Sequence, residues 1–191
     1  MTVRPEKLLW IDLEMTGLDV DQDRITEVGI IVTDFDFNEL DTYEAIVKQE
    51  ESVLERMKNS PWYDWSSGQR ETKGTIYDMA TASGLLEKIR NGQEESAVED
   101  EVVQLVNKNF DQRVILAGNS IHNDRRFIVK WWPKLEALLH YRMVDVTSFK
   151  VMMQGTGRKE FVKPENHRAL EDIRGSIEEL QYYLKKLAEK A

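Results

Sequence analysis

A mixed β-sheet covered by helices, an α/β arrangement, is the fold class this sequence predicts. Three observations carry it: strand-like runs come first, helical and strand-like segments alternate afterwards, and the final segment carries a long apolar stripe at helical spacing. The runs 7–15 and 25–34, the second reading "ITEVGIIVTD", are strands. The Gly- and Asp-containing turn "TGLDVDQDR" between them points to an antiparallel, hairpin-like pair. A third strand is expected near 43–49 and a short helix over 50–58. The stretch 59–74, "NSPWYDWSSGQRETKG", mixes Pro, Gly, Ser and aromatic residues and reads as a long loop. Loops of that length are uncommon unless functional or mobile. Trp62 and Trp65 within it either offer faces for stacking bases or cover the edge of the core, the second reading weighing slightly more.

Helices follow at 84–90 and 96–109, the latter with Val98, Val102, Leu105, Val106 and Phe110 at helical spacing. "VILAGNS" (114–120) is a buried strand that leads into an amphipathic helix, "IHNDRRFIVKWW", which must end or kink near Pro133. A short helix through "KLEALL", a strand at 141–146, a helix near 147–153 and a polar loop at 154–166 come next. The last helix starts near Asn166 or His167, with Leu170, Ile173, Ile177, Leu180, Leu184 and Leu187 on one stripe.

The 191 residues suit one well-cored domain, 1–191. Hydrophobic residues at 41 % and charged residues at 32 % describe a soluble globular chain, and no apolar run suggests a membrane span. "MTVRPEK" has no apolar core, so no signal peptide is expected and a cytoplasmic location fits. Without cysteine there is neither a disulfide nor a thiolate ligand, and any metal must sit on oxygen or imidazole. The net charge of −9 argues against sequence-independent tracking along a long polynucleotide, since that affinity comes from many Lys and Arg contacts to phosphate. A short nucleic acid remains compatible with it. Arg125, Arg126 and Lys130, or Arg158, Lys159 and Lys163, are either ordinary solvated charges, the weightier reading, or holders of its few phosphates.

Within the first strand, Asp12 and Glu14 project to one face while Ile11, Leu13 and Met15 project to the other. Two inward carboxylates repel, and a shared proton, a nearby cation or a bound divalent metal is needed to offset that. Asp124 follows the 114–120 strand, and His167 and Asp172 lie near the start of the last helix. If folding gathers these segments, four carboxylates and an imidazole form an oxygen-rich site suited to Mg²⁺ or Mn²⁺. Glu171 competes with Asp172 for the last place. On a helical wheel Asp172 falls about 115° from the centre of the apolar stripe and Glu171 about 145°, which favours Asp172.

The segments "LLWIDLEMTGLD", "AGNSIHNDRRF", "LLHYRMVDV" and "NHRALEDI", in that order across nearly the whole chain, resemble the oligoribonucleases of the DEDDh family of 3′→5′ exonucleases. The resemblance implies a ribonuclease H-like sheet flanked by α-helices, a homodimer, and two divalent ions, Mg²⁺ or Mn²⁺, per active site. It further implies a hydrolase that degrades short RNA oligonucleotides, down to dinucleotides, from the 3′ end to 5′-mononucleotides. Asp12, Glu14, Asp124 and Asp172 take metal-ligand roles by this resemblance, and His167 that of general base. Leu18 resembles an apolar residue that wedges between the terminal bases, a core leucine of the turn being the equal alternative, and Ser120 stands where the family contacts substrate. His140, Tyr141 and Arg142 match a segment that the family's partner subunit places over the neighbouring active site. One position departs: where the family has a phosphate-holding His shortly before "SGL", this chain has Ala80, and the segment preceding it is longer. The rival readings are a DEDDh exonuclease acting on single-stranded DNA or longer RNA ends, and a catalytically silent nucleic-acid-binding protein of the same fold.

Overall fold

The structure is a computed structural model that describes residues 4–64, 71–162 and 168–189. Its elements in chain order are β1 (Lys7–Met15), β2 (Ile25–Asp34), β3 (Glu39–Ile46), α1 (Glu51–Met57), β4 (Pro61–Asp64), β5 (Glu71–Thr75), α2 (Ile76–Ala82), α3 (Leu85–Arg90) and α4 (Glu95–Asn109). Then come β6 (Val114–Gly118), α5 (His122–Trp131), α6 (Pro133–Glu136), β7 (Leu139–Asp145), α7 (Val146–Gly155) and α8 (Ala169–Ala188). Five strands form one sheet in the order β3-β2-β1-β6-β7, antiparallel across β1–β2 and β2–β3 and parallel across β1–β6 and β6–β7. The mixed sheet expected from the sequence is thus present.

Both faces of β1 are buried, which explains its near-continuous apolar sequence. Leu9, Ile11 and Leu13 enter a core with Val98, Val102 and Val106 of α4 and Phe127 and Ile128 of α5. Leu8 and Trp10 point the other way and join Ile173, Ile177, Leu180 and Tyr183 of α8. Alternation then places Asp12 and Glu14 on the α8 side, where the apolar cover gives out at that helix's N-terminal end.

Three segments differ from the sequence reading. β3 begins at Glu39, several residues before the strand expected near 43–49. It starts directly after a tight turn in which Asp34 Oδ1 accepts from the Asp36 and Asn38 N–H groups and Phe37 adopts φ 65°. As an edge strand β3 exposes half of its side chains and buries only Ala45, so it lacks the apolar signature of its neighbours. The long loop read over 59–74 instead contains the paired strands β4 and β5, with Pro61 at the first strand position, where a missing N–H is tolerated. Trp65 lies outside the described residues. Finally, α2 was not anticipated, although Thr75 and Asp78 form a reciprocal capping box at its start.

α8 sits on β1 and β2 at close range because Gly29 has no side chain. A Cβ built there would lie 2.7 Å from the Ala169 Cβ and 2.9 Å from the Ala169 carbonyl carbon. Gly29→Ala is expected to cost about 1–3 kcal/mol in urea denaturation, because neither backbone nor methyl can yield without lifting the helix. An unchanged midpoint would contradict that close approach.

Candidate active site

Asp12 and Glu14 stand on β1, Asp172 on the first turn of α8 and Asp124 on the first turn of α5. Carboxylate oxygens of Asp12, Glu14 and Asp172 all lie within 4.8 Å of one another. Asp124 joins from the other side of the sheet. The β1–β6 pairing ends at Trp10↔Ala117, and beyond it the Leu13 N–H donates to Asp124 Oδ1 at 2.9 Å. A side chain thus continues the ladder where strand β6 stops.

The electrostatics follow from crowding under cover. Burial, and then the charges of Asp12, Glu27, Asp172 and Asp124, push the Glu14 carboxyl well above the usual carboxylate range. Burial and the charge of Asp12 do the same to Asp124, opposed by the Leu13 N–H bond. Glu171 is exposed and interacts with Arg174 on the outer face of α8, so Asp172 is the acid that joins the group. An octahedral ion with metal–oxygen distances of about 2.1 Å spans about 4.2 Å between opposite ligands. Oxygens already within 4.8 Å need only small rotations to reach it. The donor set, carboxylate oxygen throughout, fits a hard divalent cation.

With this geometry in place, the comparisons with known proteins fall on the same segments. A family model described as an exonuclease, RNase_T, matches residues 9–60 and 75–180. Oligoribonuclease from Francisella tularensis subsp. tularensis is 39 % identical over 186 residues, covering 95 % of this chain and 96 % of that protein. Oligoribonuclease from Chromobacterium violaceum is 39 % identical over 182 residues, covering 92 % of each. The chain belongs to the exonuclease family of the oligoribonucleases.

Solved structures agree on the fold. Exonuclease I in its apo form superimposes with a TM-score of 0.67 at 14 % identity, over 96 % of this chain and 42 % of that one. E. coli Exonuclease I in complex with a DNA oligonucleotide gives 0.66 at 15 % identity, over 95 % of this chain and 41 % of that one. The chain therefore spans about two fifths of those proteins, and the likeness is one of ribonuclease H-like architecture. The stretch that the exonuclease family model leaves unmatched, 61–74, is the segment that carries β4 and most of β5.

The other sequence-derived positions are placed as follows. Leu18 is 63 % exposed at the tip of the loop after β1, so it is not a core leucine. That loop is shaped from within by buried Asp23, whose carboxylate accepts from the Thr16 hydroxyl at 3.1 Å and the Asp19 N–H at 2.9 Å. Ser120 adopts φ 50° at the end of β6, and its N–H donates to Asp145 Oδ1 and Thr147 Oγ1. The Ser120 hydroxyl lies 3.1 Å from Thr147 Oγ1. His140, Tyr141 and Arg142 lie on the edge strand β7, with Tyr141 73 % exposed and stacked on His140. His167 falls outside the described residues.

Ala80 faces inward, packed among Leu54, Met57, Leu85, Leu86 and Ile89, so that position in α2 cannot present a group to substrate. Arg125 donates to the His140 carbonyl and to Glu136, and Lys130 pairs with Asp21 at the surface. Asp145, Asp23 and Glu27 were missed. Glu27 was legible in principle as the lone charged residue in the apolar strand 25–33.

Glu14 and Asp124 hold their protons to higher pH when folded than when unfolded. The folded chain then binds more protons across that interval, and this contribution to stability falls as pH rises through it. In EDTA at about pH 7.5, Glu14→Gln is expected to melt above the wild type, and the gap is expected to close as acid protonates Glu14. Equal melting at both pH values would contradict the crowding described.

Proposed function

We propose that the chain is a 3′→5′ exoribonuclease that shortens small RNA oligonucleotides, down to dinucleotides, to 5′-mononucleotides by two-metal-ion phosphodiester hydrolysis. The observation that carries this reading is the gathering of acids from three separate segments in a chain 39 % identical to oligoribonucleases. Asp12, Glu14, Asp124 and Asp172 are assigned as ligands of two divalent ions, Mg²⁺ or Mn²⁺. When bound, such ions lower the pKa of a water and stabilise charge on the attacking and leaving oxygens. His167 is assigned to accept the proton of that water, a role suited to an imidazole whose unperturbed pKa is about 6.5. Attack on phosphorus breaks the bond to O3′, which remains on the shortened chain as a hydroxyl, and the released nucleotide keeps its 5′ phosphate.

Substrate contacts are assigned to Leu18, as an exposed wedge between bases, and to Ser120 beside the Asp124-bearing helix. His140, Tyr141 and Arg142 are assigned to the active site of a second copy, which makes the working unit a homodimer. Their place on an exposed sheet edge supports this. The reading takes 1–191 as a single exonuclease domain acting in the cytoplasm. Among the described residues no helix is long and apolar enough to cross a membrane.

The test is digestion of 5′-labelled RNA and matched DNA of about two to twenty nucleotides, with Mn²⁺, with Mg²⁺ and with EDTA, beside Asp12→Ala. Stepwise loss of mononucleotides from the 3′ end of RNA is expected, abolished by EDTA. Losing a metal ligand should exceed the 10–100-fold typical of outer-shell groups, so Asp12→Ala is expected to fall by more than about a hundredfold. Binding without mononucleotide release would favour the silent binding protein, and faster loss from DNA would favour the deoxyribonuclease. Tyr141→Ala is expected to lower turnover about tenfold with Mn²⁺ affinity intact; unchanged turnover would reject the dimeric site.

A further inference from the structure

Glu27 has no part in the acid group's assigned chemistry, yet it is fully buried. It pairs across the sheet with Glu14, and opposite partners on adjacent strands project to the same face. One step along, Asp12, Gly29 and Glu44 form the neighbouring row across β1, β2 and β3. The gap left by Gly29 is filled by Ala169, the first residue of α8. Immediately before it, Arg168 spans both rows: its Nη2 donates to Glu44 Oε1 at 2.7 Å, and its Nε lies 3.6 Å from Glu27 Oε1.

Glu27 also faces the Ala169 N–H, yet among the described residues neither of its oxygens closes a full hydrogen bond, and Arg168 Nε makes none either. The N-cap residue of α8 is Arg168, which offers no side-chain acceptor to the first turn. A buried acid left without full hydrogen bonds is costly. An anion beneath a helix N-terminus and beside a guanidinium recovers part of that cost. The Arg168 carbonyl in turn accepts the Asp172 N–H at 2.9 Å, so one helical turn links this pair to the acid group.

We infer that Glu27 is a positioning residue of the exonuclease site: with Arg168 it seats the first turn of α8 over Gly29 and so sets where Asp172 stands relative to Asp12 and Glu14. Glu44 anchors the outer end of the same guanidinium. Glu27 acts through the helix and touches neither substrate nor the reacting phosphate. This deepens the metal-dependent reading proposed above and rests on it.

Three variants test it: Glu27→Ala, the isosteric Glu27→Gln, and Arg168→Met. Each is measured for Mn²⁺ binding by electron paramagnetic resonance, for kcat and KM on a labelled dinucleotide, and for unfolding midpoint. Glu27→Ala and Arg168→Met are each expected to weaken Mn²⁺ binding and lower kcat about tenfold, with KM within about twofold. Glu27→Gln, which keeps the acceptor below the Ala169 N–H, is expected to recover part of both losses. Combining Glu27→Ala with Arg168→Met should cost little more than either alone, as for residues acting as a unit. Wild-type Mn²⁺ affinity and kcat in a folded Glu27→Ala and Arg168→Met would overturn the inference, as would fully additive losses. A wild type that binds no Mn²⁺ and releases no mononucleotide would instead overturn the underlying metal-dependent reading.

Discussion

Carboxylate oxygens of Asp12, Glu14 and Asp172 lie within 4.8 Å of one another. At an effective dielectric of about 20, two unit charges at such a spacing repel by about 3–4 kcal/mol. A few such pairs rival the roughly 5–15 kcal/mol by which a whole domain is stable. The fold must therefore hold the acids by force from elsewhere. It does so with apolar layers on both faces of β1, which fix the strand's register and so the side to which Asp12 and Glu14 project. Burial and the neighbouring acids push the Glu14 and Asp124 carboxyls up, so uptake of protons is one means of relief. Divalent cations are the other means of relief, and the one to which the proposed function assigns the chemistry.

The same constraint explains where backbone and polar detail is concentrated. β6 ends at Gly118, so the Leu13 N–H is free to take Asp124 as its acceptor. Ser120, in a left-handed conformation unusual for a residue with a side chain, is held there by Asp145 and Thr147, and this fixes the turn that delivers α5. Buried Asp23 organises the loop that points Leu18 outward. On α8, Asn119 donates to the Ser176 hydroxyl and to Glu179, joining the helix to the end of β6 one turn beyond Asp172.

Much of this was legible in the sequence where periodicity carries the signal. Alternation along β1 separated Asp12 and Glu14 from Leu13, and the stripe on α8 separated Asp172 from Glu171. What periodicity cannot carry is distance between segments, so the meeting of Asp124 and Asp172 with β1 rested on resemblance until coordinates supplied it. β3 was misplaced because an edge strand shows little apolar pattern. β4 and β5 were hidden for a related reason: the side chains of 61–63 and 71–75 are exposed or half-buried, and Pro, Gly and Ser near them read as punctuation. Glu27 escaped because a lone acid in an apolar strand looks like an exception until Arg168 is seen beside it. The position read as a missing phosphate contact, Ala80, proved to be core, since the capping box at Thr75 starts a helix that turns this methyl inward.

The central claim is that these acids form a cage for a pair of ions. Anomalous scattering at the manganese edge, from crystals grown with Mn²⁺ and a short non-hydrolysable oligonucleotide, addresses it directly. Two peaks roughly 4 Å apart are expected, ligated by Asp12, Glu14, Asp124 and Asp172. Manganese bound elsewhere, or four acids in unchanged positions with no ion among them, would contradict it.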